Sequence, residues 1–179
     1  MRTFEPMAAA ARAVQLARSG QPLYFEEGPV GDIERDALVE GFPLWLKAKA
    51  GNLYLAANAS WPGLFKIGCT RRSVEARLRQ LSGAGVATPW FEVKSWLVHD
   101  AHNLEAQAHR ACHAWLIKGE LFHAPAETLI AVIDKVVRDD SVSLQETLSF
   151  CIPFEGLETT VAQLFASSPP CGKPIPPIA

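Results

Sequence analysis

Tyr54-Leu55-Ala56-Ala57-Asn58, a break at Trp61-Pro62-Gly63, then Leu64-Phe65-Lys66-Ile67-Gly68-Cys69-Thr70 and a following stretch that carries Arg77 decide how this chain is read. Two short apolar runs around a proline and glycine turn signal predict a hairpin, Asn52 to Asn58 against Leu64 to Thr70. Period-2 alternation sets Tyr54 and Ala56 on one face of the first strand, and Lys66 and Gly68 on one face of the second. Ser73 is a suitable N-cap for a helix to about Ser82, stopped by Gly83. Val74, Leu78 and Leu81 line its apolar face. Arg77 falls about 60 degrees off the centre of that stripe, at the edge of a buried surface.

Beyond the hairpin, Trp90 to Val98 is aromatic and β-branched, and predicts a third strand. After the polar break at His99-Asp100, Leu104, Ala108, Ala111 and Trp115 recur at helical spacing, with Glu105, His109 and Cys112 on the flank and Lys118-Gly119 as the expected end. Glu120 to His123 reads as a short extended piece. Pro125 opens a helix through Val137, with Leu129, Ile130, Ile133 and Val137 as its apolar face.

Toward the N-terminus, residues 5 to about 18 are Ala-rich and helical, Pro22 to Phe25 is a strand candidate, and Asp32 to about Glu40 is a helix ended by Gly41-Phe42-Pro43. Leu44 to Lys49 reads as a linker. Past Asp139, a short strand around Ser149 to Ile152, a helix from about Leu157 to Phe165 and an extended Pro-rich tail are expected.

Bulk properties narrow the class. The chain has 179 residues with a hydrophobic fraction of 49% and a mean hydropathy of +0.07, which suits one folded domain with extensions. Charges or prolines interrupt every apolar run well before the roughly 18 residues of a membrane span. The N-terminal stretch lacks the apolar centre of a signal peptide, so a cytoplasmic location is expected. Cys69, Cys112, Cys151 and Cys171 show neither C-x-x-C spacing nor a disulfide framework, and are expected reduced. The net charge of -2 hides an asymmetry, because residues 51–138 hold ten Lys/Arg against seven acids. Arg71, Arg72, Arg77 and Arg79 concentrate it into a local positive patch, either a solvated helix face or a footprint for phosphates.

The candidate residues have structural as well as chemical readings. Tyr54 is either a core tyrosine or a phenol made easier to ionise by a neighbouring cation. Lys66 is an edge-strand charge that discourages aggregation, a desolvated base, or a phosphate-binding cation. Arg77 offers a planar fork for two phosphate oxygens. Glu105 is a solvated carboxylate near a helix N-terminus or a metal ligand. His109, Cys112 and His113 allow a transition-metal site if His123 or His99 folds back to join them.

The order hairpin, helix, strand, helix, short strand, helix, with Lys66-Ile67-Gly68-Cys69-Thr70 on the second strand and Leu104-Glu105 early in the long helix, resembles the GIY-YIG nuclease superfamily. It is most similar to the phage-type or meiotically up-regulated branch, whose second motif begins with lysine. The resemblance covers residues 52 to about 137. It implies phosphodiester hydrolysis with one divalent ion, Mg²⁺ or Mn²⁺, held by Glu105. Tyr54 then matches the first-motif tyrosine, Arg77 the phosphate-supporting arginine, and His109 a histidine at the branch's spacing. That histidine supports the metal's glutamate, acts as general acid for the leaving oxygen, or is simply a helix-flank histidine. Glu120-Leu121-Phe122 resembles the branch's later Glu-Trp-Phe. A lone carboxylate with waters and substrate oxygens suits Mg²⁺, which keeps much of its hydration. Lys66 is assigned to the scissile phosphate, with Tyr54 and the metal sharing activation of the attacking water. Arg71, Arg72 and Arg79 are assigned to flanking phosphates. Lys66 replaces the parent group's hydroxyl, Leu81 stands where a Tyr or His is common, and no asparagine follows Asn103.

The expectation is an α+β protein with a small, mainly antiparallel three-stranded sheet flanked by helices. Residues 1–50 form an N-terminal extension, 51–138 the GIY-YIG-like domain, 139–166 a C-terminal segment and 167–179 the tail. DNA is the expected partner, and two functions stay open. One is a metal-dependent endonuclease; the other is a nucleic-acid-binding or protein-interaction module on a lapsed nuclease fold.

Overall fold

The computed structural model describes residues 5–83 and 85–152. The architecture is α+β, as expected, but the sheet holds five strands. They are β1 Gly51–Asn58, β2 Leu64–Thr70, β3 Trp90–Val98, β4 Leu116–Lys118 and β5 Leu121–His123, in the antiparallel order β3-β1-β2-β5-β4. Among the described residues there are five α-helices: α1 Pro6–Arg18, α2 Pro29–Lys49, α3 Val74–Leu81, α4 Ala101–Ala111 and α5 Ala126–Leu148.

The interior strand β1 is almost wholly buried because both faces are covered. Leu53 and Leu55 join Leu104 and Ala108 of α4 and Leu129 and Ile133 of α5 in one core. Tyr54 and Ala56 face the other way and pack with Val74 and Leu78 of α3. The predicted hairpin forms in the register Tyr54 opposite Gly68 and Ala56 opposite Lys66. Asn58 ties off its turn, accepting from the Ser60 amide at 2.9 Å and donating to the Thr88 carbonyl at 2.6 Å.

Several boundaries differ from the sequence expectation. Gly41 and Pro43 do not end α2, which runs on to Lys49. A Cβ on Gly41 would lie 1.8 Å from the Pro6 carbonyl oxygen, so this glycine serves a close crossing with α1 rather than a stop. Pro43 is exposed, and so is Val39, whose carbonyl loses its helical partner there and can turn to water. Pro22 to Phe25 pairs with no strand. Phe25 instead meets Phe150 at 6.0 Å between ring centroids.

The helix carrying Glu105 stops at Ala111, and Trp115 falls in a 3-10 turn, His113–Trp115. Lys118 lies on β4, and Gly119, at a φ of 59°, turns the chain into β5. At the other end α5 continues past Val137 to Leu148, because Leu144 and Leu148 find apolar cover on α1 and α2. Fully burying two such leucines contributes roughly 1.5–3 kcal/mol each. Ser149 to Ile152 form turns rather than a strand, and Ile152 packs on that same core. The helix expected from Leu157 to Phe165 lies outside the described residues.

Polar contacts tie the layers together. Arg18 of α1 donates to Asp140 of α5 at 2.7 Å and to Asp100 at 3.0 Å. Asp100 also caps α4 through the Asn103 amide at 3.3 Å. Lys94 and the Trp96 indole N–H, both on β3, converge on Asp134 of α5 at 2.8 and 2.6 Å. Among the described residues no helix is long and apolar enough to cross a membrane.

Candidate active site

Four elements deliver the central residues. β1 supplies Tyr54 and β2 supplies Lys66, on the face that α3 crosses. The Ser73 hydroxyl caps α3 by accepting from the Ala76 amide at 3.2 Å, which starts the turn that carries Arg77. α4 packs along β2 and brings up Glu105.

Arg77 lies close enough to Tyr54 for its charge to favour the phenolate. Its charge is also felt at Lys66 and Cys69, and the charge of Glu105 at Tyr54, Lys66 and Cys69. Arg77 and Glu105 therefore both act on Tyr54 and on Lys66.

The field at these residues is mixed. Tyr54 is only 1% exposed, and burial raises its phenol above the ordinary value, with Glu105 and Cys69 adding to the rise and Arg77 opposing it. The cation that meets Tyr54 is thus Arg77, and it does not offset desolvation. Burial, then Arg77, lowers the Lys66 ammonium, while Glu105 holds it up. Lys66 is also ion-paired with Glu120, just before β5. Burial pushes the Cys69 thiol up to about 12, helped by its hydrogen bond to Glu105 and that carboxylate's charge.

Gly68 has a local reason to be glycine. A Cβ there would lie 2.5 Å from the Tyr54 oxygen, so only a bare Cα leaves room for the phenol.

The remaining predicted residues lie around these four. His109 donates from Nε2 to the Ile67 carbonyl at 3.1 Å, with its ring 5.3 Å from that of Phe122. The Ile67 amide meets the Glu120 carbonyl at 3.2 Å. His109 thus covers the stretch of the β2 edge that β5 leaves. Arg71 donates to the Lys47 carbonyl at 2.9 Å, Arg79 pairs with Glu75 at 2.9 Å, and Arg72 is exposed.

The alternative metal group of His109, Cys112 and His113 does not assemble. Cys112 is fully buried in the core, its thiol pushed up to about 11 by burial, and His113 is exposed on the 3-10 turn. Among the described residues, the one group of His, Cys, Asp or Glu side chains close enough to share an ion is Cys69, His102 and Glu105. The sequence singles out Cys69 and Glu120 only as members of their motifs, with no role of their own, and His102 not at all. His102 could have been found from its position one helical turn before Glu105. Glu105 fits a divalent cation: its carboxylate is 21% exposed, with other donor atoms beside it.

A hairpin crossed by a helix that carries arginine, with a carboxylate-bearing helix packed along its second strand, is the arrangement expected from the resemblance to the GIY-YIG superfamily. Residues 51–137 match the family model of the T5orf172 domain, a GIY-YIG-related family. Neither the curated proteins nor the solved structures give a match.

Proposed function

We propose that the domain hydrolyses DNA phosphodiester bonds with a divalent cation held at Glu105. The observation that supports this reading is that the charges of Arg77 and Glu105, on α3 and α4, both act on Tyr54 of β1 and Lys66 of β2. When bound, Mg²⁺ or Mn²⁺ supplies Lewis-acid polarisation of the phosphodiester. Arg77 presents its fork to phosphate oxygens and stabilises charge as it develops there. Lys66 acts as a cation at the phosphate, held in place by its pair with Glu120. Tyr54, a neutral phenol, is a positioning residue that orients Arg77. His109 fixes the β2 edge through Ile67 rather than moving a proton. Arg71, Arg72 and Arg79 engage flanking phosphates without reading sequence.

The test is incubation of supercoiled plasmid with purified protein and Mg²⁺ or Mn²⁺. Nicked or linear product is expected, with Glu105→Gln and Arg77→Ala each lowering the rate by about a hundredfold or more. Cleavage that survives Glu105→Gln overturns the assignment.

A second reading, binding without cleavage, is favoured by the burial of Tyr54 and the engagement of Lys66 by Glu120. Under it, DNA binds with a steep salt dependence and stays intact under the same conditions.

A further inference from the structure

We infer that Cys69, His102 and Glu105 form a transition-metal site, of the kind that takes Zn²⁺ or Co²⁺, on the rim of the proposed active site. Cys69 Sγ lies 3.2 Å from His102 Nδ1 and 3.2 Å from Glu105 Oε2, and the two α4 atoms are 3.8 Å apart. A tetrahedral ion bound to sulfur at about 2.3 Å and to nitrogen and oxygen at about 2.0–2.1 Å needs ligand edges of about 3.4–3.6 Å. The two sulfur edges are a few tenths of an ångström shorter and the nitrogen–oxygen edge a few tenths longer than such an ion needs, shifts that side-chain rotation at His102 and Glu105 can supply.

The arrangement does not fit the alternative chemistry of a cysteine nucleophile. In a Cys-His-carboxylate relay the thiol and the carboxylate contact opposite ring nitrogens. Here both approach the same nitrogen, Nδ1. Three donor atoms converging on one point is the geometry of a shared cation.

The backbone holds the donors in place. His102 and Glu105 are one turn apart on α4, and Cys69 lies on β2, against which α4 packs. Asp100 is nearby but is engaged by Arg18 and by the cap of α4, so it is not a fourth ligand. His102 is 76% exposed, which leaves the remaining coordination positions open to solvent.

A thiolate and an imidazole beside the carboxylate shift selectivity away from Mg²⁺, which prefers oxygen alone, toward borderline and softer ions. The site would therefore fill without DNA. The inference shares Glu105 with the proposed nuclease but does not need cleavage.

The test is titration of the full-length reduced protein with Co²⁺ in the absence of DNA, followed by Zn²⁺ competition. One equivalent of Co²⁺ should bind with a cobalt–thiolate charge-transfer band, be displaced by Zn²⁺ and resist a large excess of Mg²⁺. Cys69→Ser should abolish the band. His102→Ala and Glu105→Gln should each weaken binding by about tenfold or more. Cys112→Ser, Cys151→Ser and Cys171→Ser should each leave it intact, and circular dichroism checks the fold of every variant. A missing band, a band that survives Cys69→Ser in a folded variant, or binding indifferent to His102→Ala overturns the inference. Glu105-dependent cleavage with Mg²⁺ but no cobalt band would overturn this site alone. A cobalt band without cleavage would overturn the nuclease reading alone.

Discussion

Tyr54 and Gly68 face each other across the central hairpin so closely that the phenol occupies the space a Gly68 side chain would need. A Cβ at position 68 would lie 2.5 Å from the Tyr54 oxygen and 2.7 Å from Cζ. Gly68→Ala is therefore expected to destabilise the fold by about 1–3 kcal/mol, as overpacking does. Tyr54→Phe in the same chain should recover only part of this, because the Cζ contact remains. Urea midpoints of the two single variants and the double variant read the coupling. Purely additive losses would contradict it.

Under the proposed function, the arginines after β2 differ in how free they are to meet phosphates, since Arg71 already bonds a carbonyl and Arg79 pairs with Glu75. Arg72→Ala is expected to reduce the slope of log affinity against log salt by about 0.9, the share of one phosphate contact. Arg71→Ala should change it less, because that guanidinium already bonds the Lys47 carbonyl. Fluorescence anisotropy with a labelled duplex across a salt series makes the comparison. Equal effects would show that the Arg71 bond opens in the complex.

Arg18 joins α1 to two carboxylates, and Asp140 is among the most buried charged residues described. Arg18→Ala should cost about 3–5 kcal/mol, because it leaves carboxylates without their countercharge. Pairing Arg18→Met with Asp140→Leu should restore much of that loss. Denaturant unfolding of the single and double variants checks both expectations.

Cys112 makes a prediction for alkaline pH. In the unfolded chain its thiol ionises near 9.0, and in the fold near about 11. The folded state keeps its proton between those values. This contribution is therefore complete below about pH 9 and is lost as pH climbs from there toward about 11. The raised Cys69 and Tyr54 values act in the same direction. Melting temperature should hold from neutral pH to about 9 and then fall, and Cys112→Ala should show a shallower fall from a lower plateau.

Much of the central unit was legible because it obeys local rules. A turn signal between two apolar runs gives the hairpin, Ser73 marks the start of α3, and period-2 alternation separates Tyr54 from Leu53 and Leu55. The errors arose where a distant partner overrides the local signal. Gly41 reads as a breaker until α1 is laid across it, and α5 reads as finished at Val137 until α1 and α2 cover Leu144 and Leu148. The site divides in the same way. Strand alternation puts Tyr54 on the face that α3 covers, and helix phase puts Arg77 at the edge of the buried stripe of α3. The pairing of Lys66 with Glu120 depends on β5 joining the β2 edge, and the meeting of Cys69 with His102 depends on how α4 lies along β2. Neither contact leaves a spacing signature along the chain.

α5 contributes Leu129 and Ile133 to the core beneath the sheet, and Leu144 and Leu148 to the core between α1 and α2. Because one continuous helix belongs to both, the two cores draw on a common reserve of stability. A substitution at Ala13 or Phe42, remote from every candidate residue, is then also a tax on the sheet that holds Tyr54 and Lys66 in place. Genetic variation in the N-terminal helices can in this way silence the site without altering any atom in it.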